Sequence, residues 1–163
     1  MKQMWSPWRS QYIKSFAGAP KRKSRDSIFT RARKSRDDRK NLIVWRGKLC
    51  FVIMNRYPYN SGHLMIVPNR QTADFTDLTA AETAEIMEVT RRAMRALDAL
   101  MKPGGYNFGA NIGRCAGAGV DNHIHFHLVP RWSGDANFMP VLSDIKVISD
   151  DMASTWENLR RIL

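Results

Sequence analysis

Residues 122–130 alternate between polar and apolar side chains, and this alternation constrains the fold of the chain more than any other feature. Histidines take every second position, with apolar residues between them: His123, Ile124, His125, Phe126, His127 and Leu128. Successive side chains of a β-strand point to opposite faces. The pattern therefore predicts a strand from His123 to Val129, with three imidazoles on one face and three apolar side chains buried on the other.

Apolar runs upstream of this segment predict further short strands. Residues 42–45 and 49–54 lie on either side of Gly47-Lys48, which indicates a hairpin. Residues 63–67 are predicted to form a buried strand closed by Pro68. A further strand is predicted at 106–112, followed by a loop of small residues at 113–119.

Two stretches have the spacing of helices. Residues 79–82 match a capping box, and the apolar face that follows ends before Pro103-Gly104-Gly105. A second helix is predicted from about Asp150, with four apolar residues on one side: Met152, Trp156, Leu159 and Leu163. The order of strands, helix, strands and helix, with short turns among the early strands, predicts an α+β domain with a mainly antiparallel sheet.

The length of 163 residues fits one domain with its own core. We divide it into an N-terminal extension (1–40), a central core (41–140) and a C-terminal segment with the last helix (141–163). Residues 17–40 carry mixed charge and are predicted to be irregular. The exception is the small apolar island Ser27-Ile28-Phe29-Thr30, which we expect to dock on the core.

Composition excludes several classes of protein. No apolar run reaches the roughly 18 residues that span a bilayer, and residues 1–11 lack the apolar core of a signal peptide. We therefore expect a cytoplasmic protein that does not bind membranes. The two cysteines, Cys50 and Cys115, form no Cys-x-x-Cys pair and are expected to be reduced thiols.

The net charge of +11 is concentrated near the N-terminus. Between Lys21 and Lys40, ten Lys or Arg residues face three Asp residues. Such a field attracts polyphosphates and nucleic acids, and a solvated basic loop without a specific ligand fits the same composition. Nucleic-acid binding is the weaker interpretation, because these basic residues are not interleaved with several aromatic ones.

Three interpretations of the histidine cluster compete. The histidines could be structural, they could bind a metal ion such as zinc, or one of them could act as a nucleophile. A neutral imidazole attacks phosphorus well, and crowded imidazoles disfavour simultaneous protonation. Three histidines at alternate positions favour the third interpretation. The chain has four histidines, and the fourth, His63, begins another strand and could lie beside the cluster.

The motif and its surroundings resemble the histidine triad (HIT) superfamily of nucleotide hydrolases and transferases. The His-x-His-x-His motif followed by two apolar residues carries the resemblance, together with residues 55–68, 111–113 and 116–119. It extends over roughly residues 27–140. Residues 5–9, with Tyr12-Ile13, and residues 130–140 are similar to the bacterial diadenosine tetraphosphate (Ap4A) phosphorylase-like branch. The resemblance implies a single HIT domain over 1–163, with 41–140 as its catalytic core.

This resemblance implies unequal roles for the four histidines. His125 would be the nucleophile and would take a nucleoside monophosphate as a covalent nucleotidyl-imidazole. His127 would bind phosphate oxygens or assist the leaving group, and His123 and His63 would orient the cluster.

The resemblance also implies a nucleotide pocket. Asn55 would bind the ribose, and Ile28, Phe29 and Ile53 would form the base pocket. Phosphate oxygens would be held by Asn111 and by backbone amides of the glycine-rich loop: Gly117, Ala118, Gly119 and Val120.

One departure from the family concerns a structural zinc. Many bacterial relatives bind zinc through a Cys-x-x-Cys pair, a histidine after the first half-site and the first triad histidine. This chain has Ser27, Thr30 and Gln71 at the first three of these positions. Hydroxyl and amide groups are poor substitutes for thiolate and imidazole. We therefore predict that structural zinc is absent and that no metal or cofactor is required.

The reaction implied is a double displacement through a nucleotidyl-His125 intermediate. Phosphorolysis of Ap4A or related dinucleoside polyphosphates is the favoured reaction, and the final acceptor could be inorganic phosphate or water. One alternative is a hydrolase of dinucleoside polyphosphates or nucleoside phosphoramidates. The other is a non-catalytic nucleotide-binding protein. By resemblance we expect a homodimer or a higher homo-oligomer.

Overall fold

The computed structural model describes residues 26–135 and 151–163. The predictions for residues 1–25 and for residues 136–150 lie outside the described part. Two short helices come first, α1 (Ile28–Ser35) and α2 (Asp38–Asn41). The remaining elements follow in the order β1 (Ile43–Arg46), β2 (Cys50–Met54), β3 (Leu64–Pro68), α3 (Ala80–Met101), β4 (Gly105–Gly109), β5 (Phe126–Arg131) and α4 (Met152–Ile162).

The five strands form one antiparallel sheet in the order β1-β2-β3-β5-β4. The hairpin between β1 and β2 turns at Gly47-Lys48, where the sequence predicted it. Together with α3 and α4, this sheet confirms the predicted α+β class. The last strand in the chain, β5, lies between β3 and β4. The histidine segment is therefore part of an interior strand of the sheet.

Alternation along the strands divides the core into two apolar clusters, one on each face of the sheet. The helical face packs β-strand residues such as Val52, Leu64 and Ile66 against α3 and α4. The opposite face packs Phe51, Ile53, Met65 and Val67 against Phe29 and Ala32 of α1. Ile124, Phe126 and Leu128 belong to the first cluster, as predicted from their alternation with the histidines.

The helices have the ends that the sequence predicted. The Thr79 side chain accepts a hydrogen bond from the Glu82 amide, and Glu82 reciprocates at the Thr79 amide, so the capping box is present. Asp151 caps α4 through its carboxylate. The four apolar residues predicted on one side of this helix join the core cluster that packs on α3 and the sheet. Within the described residues, no helix is both long and apolar enough to cross a membrane.

Two predictions of local structure were wrong. The segment after the apolar island at 27–30 was predicted to be irregular, but residues 28–35 form a helix, because Ser27 caps it and Phe29 and Ala32 bury one side. The island itself packs on the core through Phe29, as expected. The histidine strand begins at Phe126, not at His123. Its pairing with β3 extends only from Leu64 to Ile66, so the residues before Phe126 lie outside the ladder.

Candidate active site

The four histidines meet on the α1 face of the sheet. His127 lies opposite Met65 in the β3–β5 ladder, and Met65 belongs to the cluster that packs on α1. The ring centroids of His125 and His127 are 5.0 Å apart, and those of His63 and His127 are 5.1 Å apart. His63, His123 and His125 are buried, and His127 is partly exposed. The predicted cluster is therefore present, including the fourth histidine.

His125 is held with one ring nitrogen directed at the backbone. Its Nδ1 lies 2.9 Å from the carbonyl oxygen of His123. A carbonyl only accepts hydrogen bonds, so Nδ1 carries the proton and Nε2 keeps its lone pair in the neutral ring. Burial lowers the pKa of His125 below its ordinary value of 6.5, although the bond to the His123 carbonyl acts in the opposite direction. The site thus maintains a neutral imidazole with a nucleophilic Nε2.

A chain of hydrogen bonds sets the tautomer of His127. The backbone N–H of Tyr59 donates to Nδ1 of His63 over 3.1 Å, so the neutral ring of His63 carries its proton on Nε2. That nitrogen lies 2.9 Å from Nδ1 of His127 and donates to it. The neutral ring of His127 therefore carries its own proton on Nε2. Two adjacent rings thus present opposite chemistry, a lone pair on Nε2 of His125 and a donor on Nε2 of His127.

His123 lies outside the strand ladder, and hydrogen bonds to the end of β3 and the residues just after it hold this segment. Its Nε2 donates to the carbonyl oxygen of Pro68 over 2.9 Å, and the amide of Ile124 donates to the carbonyl oxygen of Thr72 over 2.7 Å. The ring is almost completely inaccessible to solvent, at 1% exposure. Burial lowers the pKa of His123, so this ring stays neutral. His123 therefore serves as an anchor for the backbone that holds His125.

Apolar side chains expected in the base pocket take different positions. Phe29 lies against the triad, with its ring centroid 4.9 Å from that of His125. Ile53 belongs to the same cluster, and Val120 packs on it from the glycine-rich loop. Ile28 is 47% exposed. The structure thus brings Phe29, Ile53 and Val120 into one apolar cluster that contacts His125 through Phe29, while Ile28 is exposed on α1.

The two asparagines of the predicted site lie on different sides of it. The Asn55 side chain accepts from the Tyr57 amide, and its Nδ2 lies 3.3 Å from Nδ1 of His63. Asn111 lines a cleft of about 390 Å³ that is open to His127. Other polar residues in the wall of this cleft are Tyr59, Asn60, Asn107 and Arg131.

The glycine-rich loop uses some of its own amides. Residues Arg114–Ala116 form one turn of 3-10 helix, and Gly117 follows with φ of 88°. The Gly117 amide donates to Arg114 and the Ala118 amide to Gly113. In this conformation both amides stabilise the loop, and the role of Gly117 and Ala118 as phosphate donors stays a prediction. The next residue in the expected set, Gly119, is exposed.

Sequence analysis did not identify a cluster of hydrogen-bonded polar side chains at the wall of the cleft, formed by Asn60, Asn107, Arg131 and Asp135. Arg131 donates to Asp135 through Nε and Nη2 and to Asn107 through Nη1. Asn60 donates to Asp135 over 2.7 Å and to the Pro130 carbonyl over 3.0 Å. The signal was the four-residue spacing of Arg131 and Asp135 directly after the triad strand. These contacts fix the wall of the cleft that adjoins His127.

Ser27, Thr30 and Gln71, at the positions where the resemblance implies zinc ligands, form a hydrogen-bonded group with His123. Ser27 Oγ lies 2.7 Å from Nδ1 of His123, and the Gln71 side-chain oxygen accepts from the Ser27 amide and the Thr30 hydroxyl. In the described part of the chain, no group of three or more His, Cys, Asp or Glu side chains is arranged to hold a metal ion. Two hydroxyls and one amide do not match the thiolate and imidazole ligands that zinc prefers.

Comparison with known proteins identifies the family. Residues 36–134 match the family described as "HIT domain". The chain is 39% identical over 168 aligned residues to the AP-4-A phosphorylase of Mycobacterium tuberculosis, and the alignment covers 100% of this chain and 83% of that protein. A protein with this fold and this arrangement of histidines belongs to the HIT family. The predicted resemblance is thereby confirmed, including its Ap4A phosphorylase-like branch.

Other relatives cover less of the chain. The asymmetrical bis(5'-nucleosyl)-tetraphosphatase of Schizosaccharomyces pombe is 28% identical over 93 residues, covering 57% of this chain and 50% of that protein. A Zn-bound histidine triad family protein from Mycobacterium smegmatis superposes with a TM-score of 0.67 at 25% identity, covering 85% of this chain and 94% of that one. Caenorhabditis elegans NitFhit superposes with a TM-score of 0.62 at 27% identity, covering 76% of this chain and 27% of that one.

Proposed function

We propose that this protein is a nucleotidyltransferase that cleaves dinucleoside polyphosphates through a covalent nucleotidyl-His125 intermediate, with Ap4A and inorganic phosphate as the favoured substrates. One observation carries the proposal: the hydrogen bond from His125 Nδ1 to the His123 carbonyl, which leaves the lone pair on Nε2. The neighbouring ring of His127 offers a proton donor beside that lone pair. A nucleophile next to a donor is what displacement at phosphorus needs.

The first step forms one bond and breaks another. Nε2 of His125 attacks the α-phosphorus, and the P–O bond to the rest of the polyphosphate breaks. The electron pair leaves with the bridging oxygen, to which Nε2–H of His127 donates. With Ap4A the departing group is ATP, and AMP remains on His125 through a P–N bond. Nδ1–H of His125 still donates to the His123 carbonyl, which stabilises the positive charge that the substituted ring acquires.

The second step returns the enzyme to its starting state. An oxygen of inorganic phosphate attacks the adenylyl phosphorus, the P–N bond breaks, and its electron pair returns to Nε2 of His125. The product is ADP with phosphate as acceptor and AMP with water. The cleft on the His127 side holds the departing nucleotide and then the acceptor, since it is lined by Asn107, Asn111 and Arg131.

The base of the nucleotide that becomes attached is assigned to the apolar side chains near His125. Phe29 packs against the His125 ring, and Ile53 and Val120 belong to the same apolar cluster as Phe29 and form an apolar wall with it. A purine base would bury its faces against these side chains. We assign the ribose hydroxyls to Asn55, which lies next to His63, and the phosphate oxygens to Asn111 and the exposed Gly119.

Similarity supports phosphate as the acceptor, since the relative aligned over the whole chain carries the name AP-4-A phosphorylase. The tetraphosphatase of S. pombe aligns over fewer residues and supports the hydrolytic alternative. A cytoplasmic location, a homodimer and independence of any cofactor remain predictions.

Mass spectrometry of the intact protein after brief exposure to Ap4A tests the proposal. We expect a mass increase of one AMP moiety on His125, and its release as ADP when phosphate is added. His125→Ala should form no adduct and should still bind nucleotide. Release as AMP at the same rate with and without phosphate would establish a hydrolase instead. Nucleotide binding by the unsubstituted protein without adduct or turnover would favour the non-catalytic alternative.

A further inference from the structure

Four side chains from three parts of the chain form a hydrogen-bonded group around His123, the first histidine of the triad. They are Ser27 and Thr30 at the start of α1, Gln71 after β3, and His123. Ser27, Thr30 and His123 are 3%, 8% and 1% exposed. Ser27 and His123 are 96 residues apart in sequence. We call Ser27, Thr30 and Gln71 the hydroxyl–amide node.

The shortest hydrogen bonds of this node define one arrangement of donors. Nε2 of His123 must carry its proton because its partner is the Pro68 carbonyl, so Nδ1 accepts and the Ser27 hydroxyl donates to it. Gln71 presents its oxygen, since the Ser27 backbone N–H donates to it over 2.8 Å. The Thr30 hydroxyl donates to the same oxygen over 2.7 Å. Each hydroxyl proton therefore has a defined acceptor, and the tautomer of His123 is fixed.

The node is coupled to both parts of the candidate site. The carbonyl of His123 is the acceptor that orients His125. Phe29 lies between Ser27 and Thr30 in the chain, and its ring contacts both His123 and His125, at centroid distances of 5.7 and 4.9 Å. The Ser27 hydroxyl also accepts from the Thr30 amide and so caps α1. Moving Ser27 would therefore displace the His123 ring and Phe29 together.

We propose that the hydroxyl–amide node positions the nucleophile in this protein and does so in place of a structural metal. Ser27, Thr30 and Gln71 are positioning residues, acting through His123 on His125. The similar protein from M. smegmatis is described as Zn-bound, whereas here Nδ1 of His123 is already occupied by the Ser27 hydroxyl. This inference rests on the proposed function of His125 for its kinetic readout only.

The test uses two substitutions, one that removes a hydrogen-bond donor of the hydroxyl–amide node and one that removes an acceptor. Ser27→Ala removes the donor to His123 and the cap of α1, and Gln71→Met removes the shared acceptor while leaving that cap in place. Misplacing a reacting group by about 1 Å costs on the order of 100-fold. We expect both variants to lower the rate of His125 adenylylation roughly 10-fold to 100-fold. Ser27→Thr retains the hydroxyl and should restore most of the rate.

Thr79→Ala is the matched structural control. Thr79 caps α3 in the same way that Ser27 caps α1, and it belongs to no part of the candidate site. We expect it to lower the melting temperature and to leave the adenylylation rate unchanged. Unchanged rates in Ser27→Ala and Gln71→Met, with only the melting temperature lowered, would overturn the positioning role.

Two further readouts do not depend on turnover. ¹⁵N NMR of the histidine rings should show the proton of His123 on Nε2 in the unsubstituted protein, with the Nδ1 signal shifted in Ser27→Ala. Elemental analysis should find less than stoichiometric zinc, and a chelator should not lower the melting temperature. Stoichiometric zinc, or a proton on Nδ1 of His123, would overturn the inference. Absence of an adduct in the unsubstituted protein would instead refute the proposed function, with the NMR and zinc results still deciding the node.

Discussion

Nε2 of His63 lies 2.9 Å from Nδ1 of His127, and the two rings meet at an interplanar angle of 47°. His63 lies immediately before β3, 64 residues before His127 in the chain. Because the Tyr59 amide donates to the other nitrogen of His63, this contact has a defined direction, from His63 to His127. A residue outside the triad motif thus decides which nitrogen of His127 carries the proton.

Replacement of His63 tests this relay. His63→Phe keeps an aromatic ring in the buried position and removes both nitrogens. His127 would lose the donor to Nδ1, and its proton would no longer be confined to Nε2. Positioned proton donors contribute about 10²-fold to 10⁴-fold, so we expect kcat for Ap4A cleavage to fall at least about 100-fold. Steady-state kinetics measures it, and an unchanged kcat with a raised KM would show that His63 serves substrate binding instead.

The titration of His125 provides a second prediction. Burial lowers the pKa of this ring below 6.5, so the neutral, nucleophilic form should persist at pH values where an ordinary histidine is protonated. NMR titration of the His125 ring should give a midpoint below 6.5 in the folded protein and near 6.5 in urea. A folded-state midpoint at or above 6.5 would contradict the depressed pKa.

The same shift links pH to stability. His123 and His125 both have a folded-state pKa below the ordinary value of 6.5, so the unfolded chain binds more protons as the pH falls through that value. Their contribution to the free energy of unfolding is present above pH 6.5 and is lost as the pH falls toward the folded-state pKa. Urea denaturation between pH 8 and 5 should show this loss, and His123→Phe should reduce it.

Much of the fold could be predicted from local patterns. The alternation at 123–128 correctly assigned the histidines to one face and Ile124, Phe126 and Leu128 to the core. The capping box at Thr79 and the turn at Gly47-Lys48 were also correct. These features depend on neighbouring residues only, so the sequence suffices to find them.

Features that depend on distant contacts were missed. Residues 123–125 leave the strand ladder because the chain there is held by Pro68 and Thr72, more than 50 residues away. The helix α1 has only one short buried face among basic residues, so its charge pattern indicated an irregular segment. Likewise, Ser27, Thr30 and Gln71 suggested only missing zinc ligands, because their mutual hydrogen bonds become visible only in three dimensions.

Gly62 allows a fourth prediction, which concerns the turn that precedes His63. Its φ of 70° lies in the left-handed region, and an added Cβ would be 2.8 Å from Met101 Sδ and 3.0 Å from Leu97 Cδ2. Gly62→Ala should therefore cost about 1–2 kcal/mol in backbone strain alone, and repacking should displace His63. We expect a lower melting temperature and a reduced kcat.

Gly104→Ala is the control for this substitution. There an added Cβ would meet only the Arg131 carbonyl oxygen at 3.6 Å, an ordinary contact. We expect little change in stability or kcat for this variant. Equal losses in both variants would show that the effect of Gly62→Ala does not come from its backbone conformation or its close neighbours.

Phe29 provides the last prediction, because it connects α1 to the nucleotide pocket. Its ring is 3% exposed and packs on His125 at 4.9 Å. Phe29→Leu keeps an apolar side chain and removes the flat face on which a base would stack, an interaction of about 0.5–1.5 kcal/mol. We expect nucleotide binding to weaken roughly 2-fold to 10-fold, since 1.4 kcal/mol is tenfold in affinity. Phe51→Leu is the matched control, since Phe51 is buried in the same cluster but lies opposite Val67, beyond the part of β3 that pairs with β5. Calorimetry with AMP measures both variants, and equal weakening would assign the effect to general loosening of this cluster rather than to stacking on Phe29.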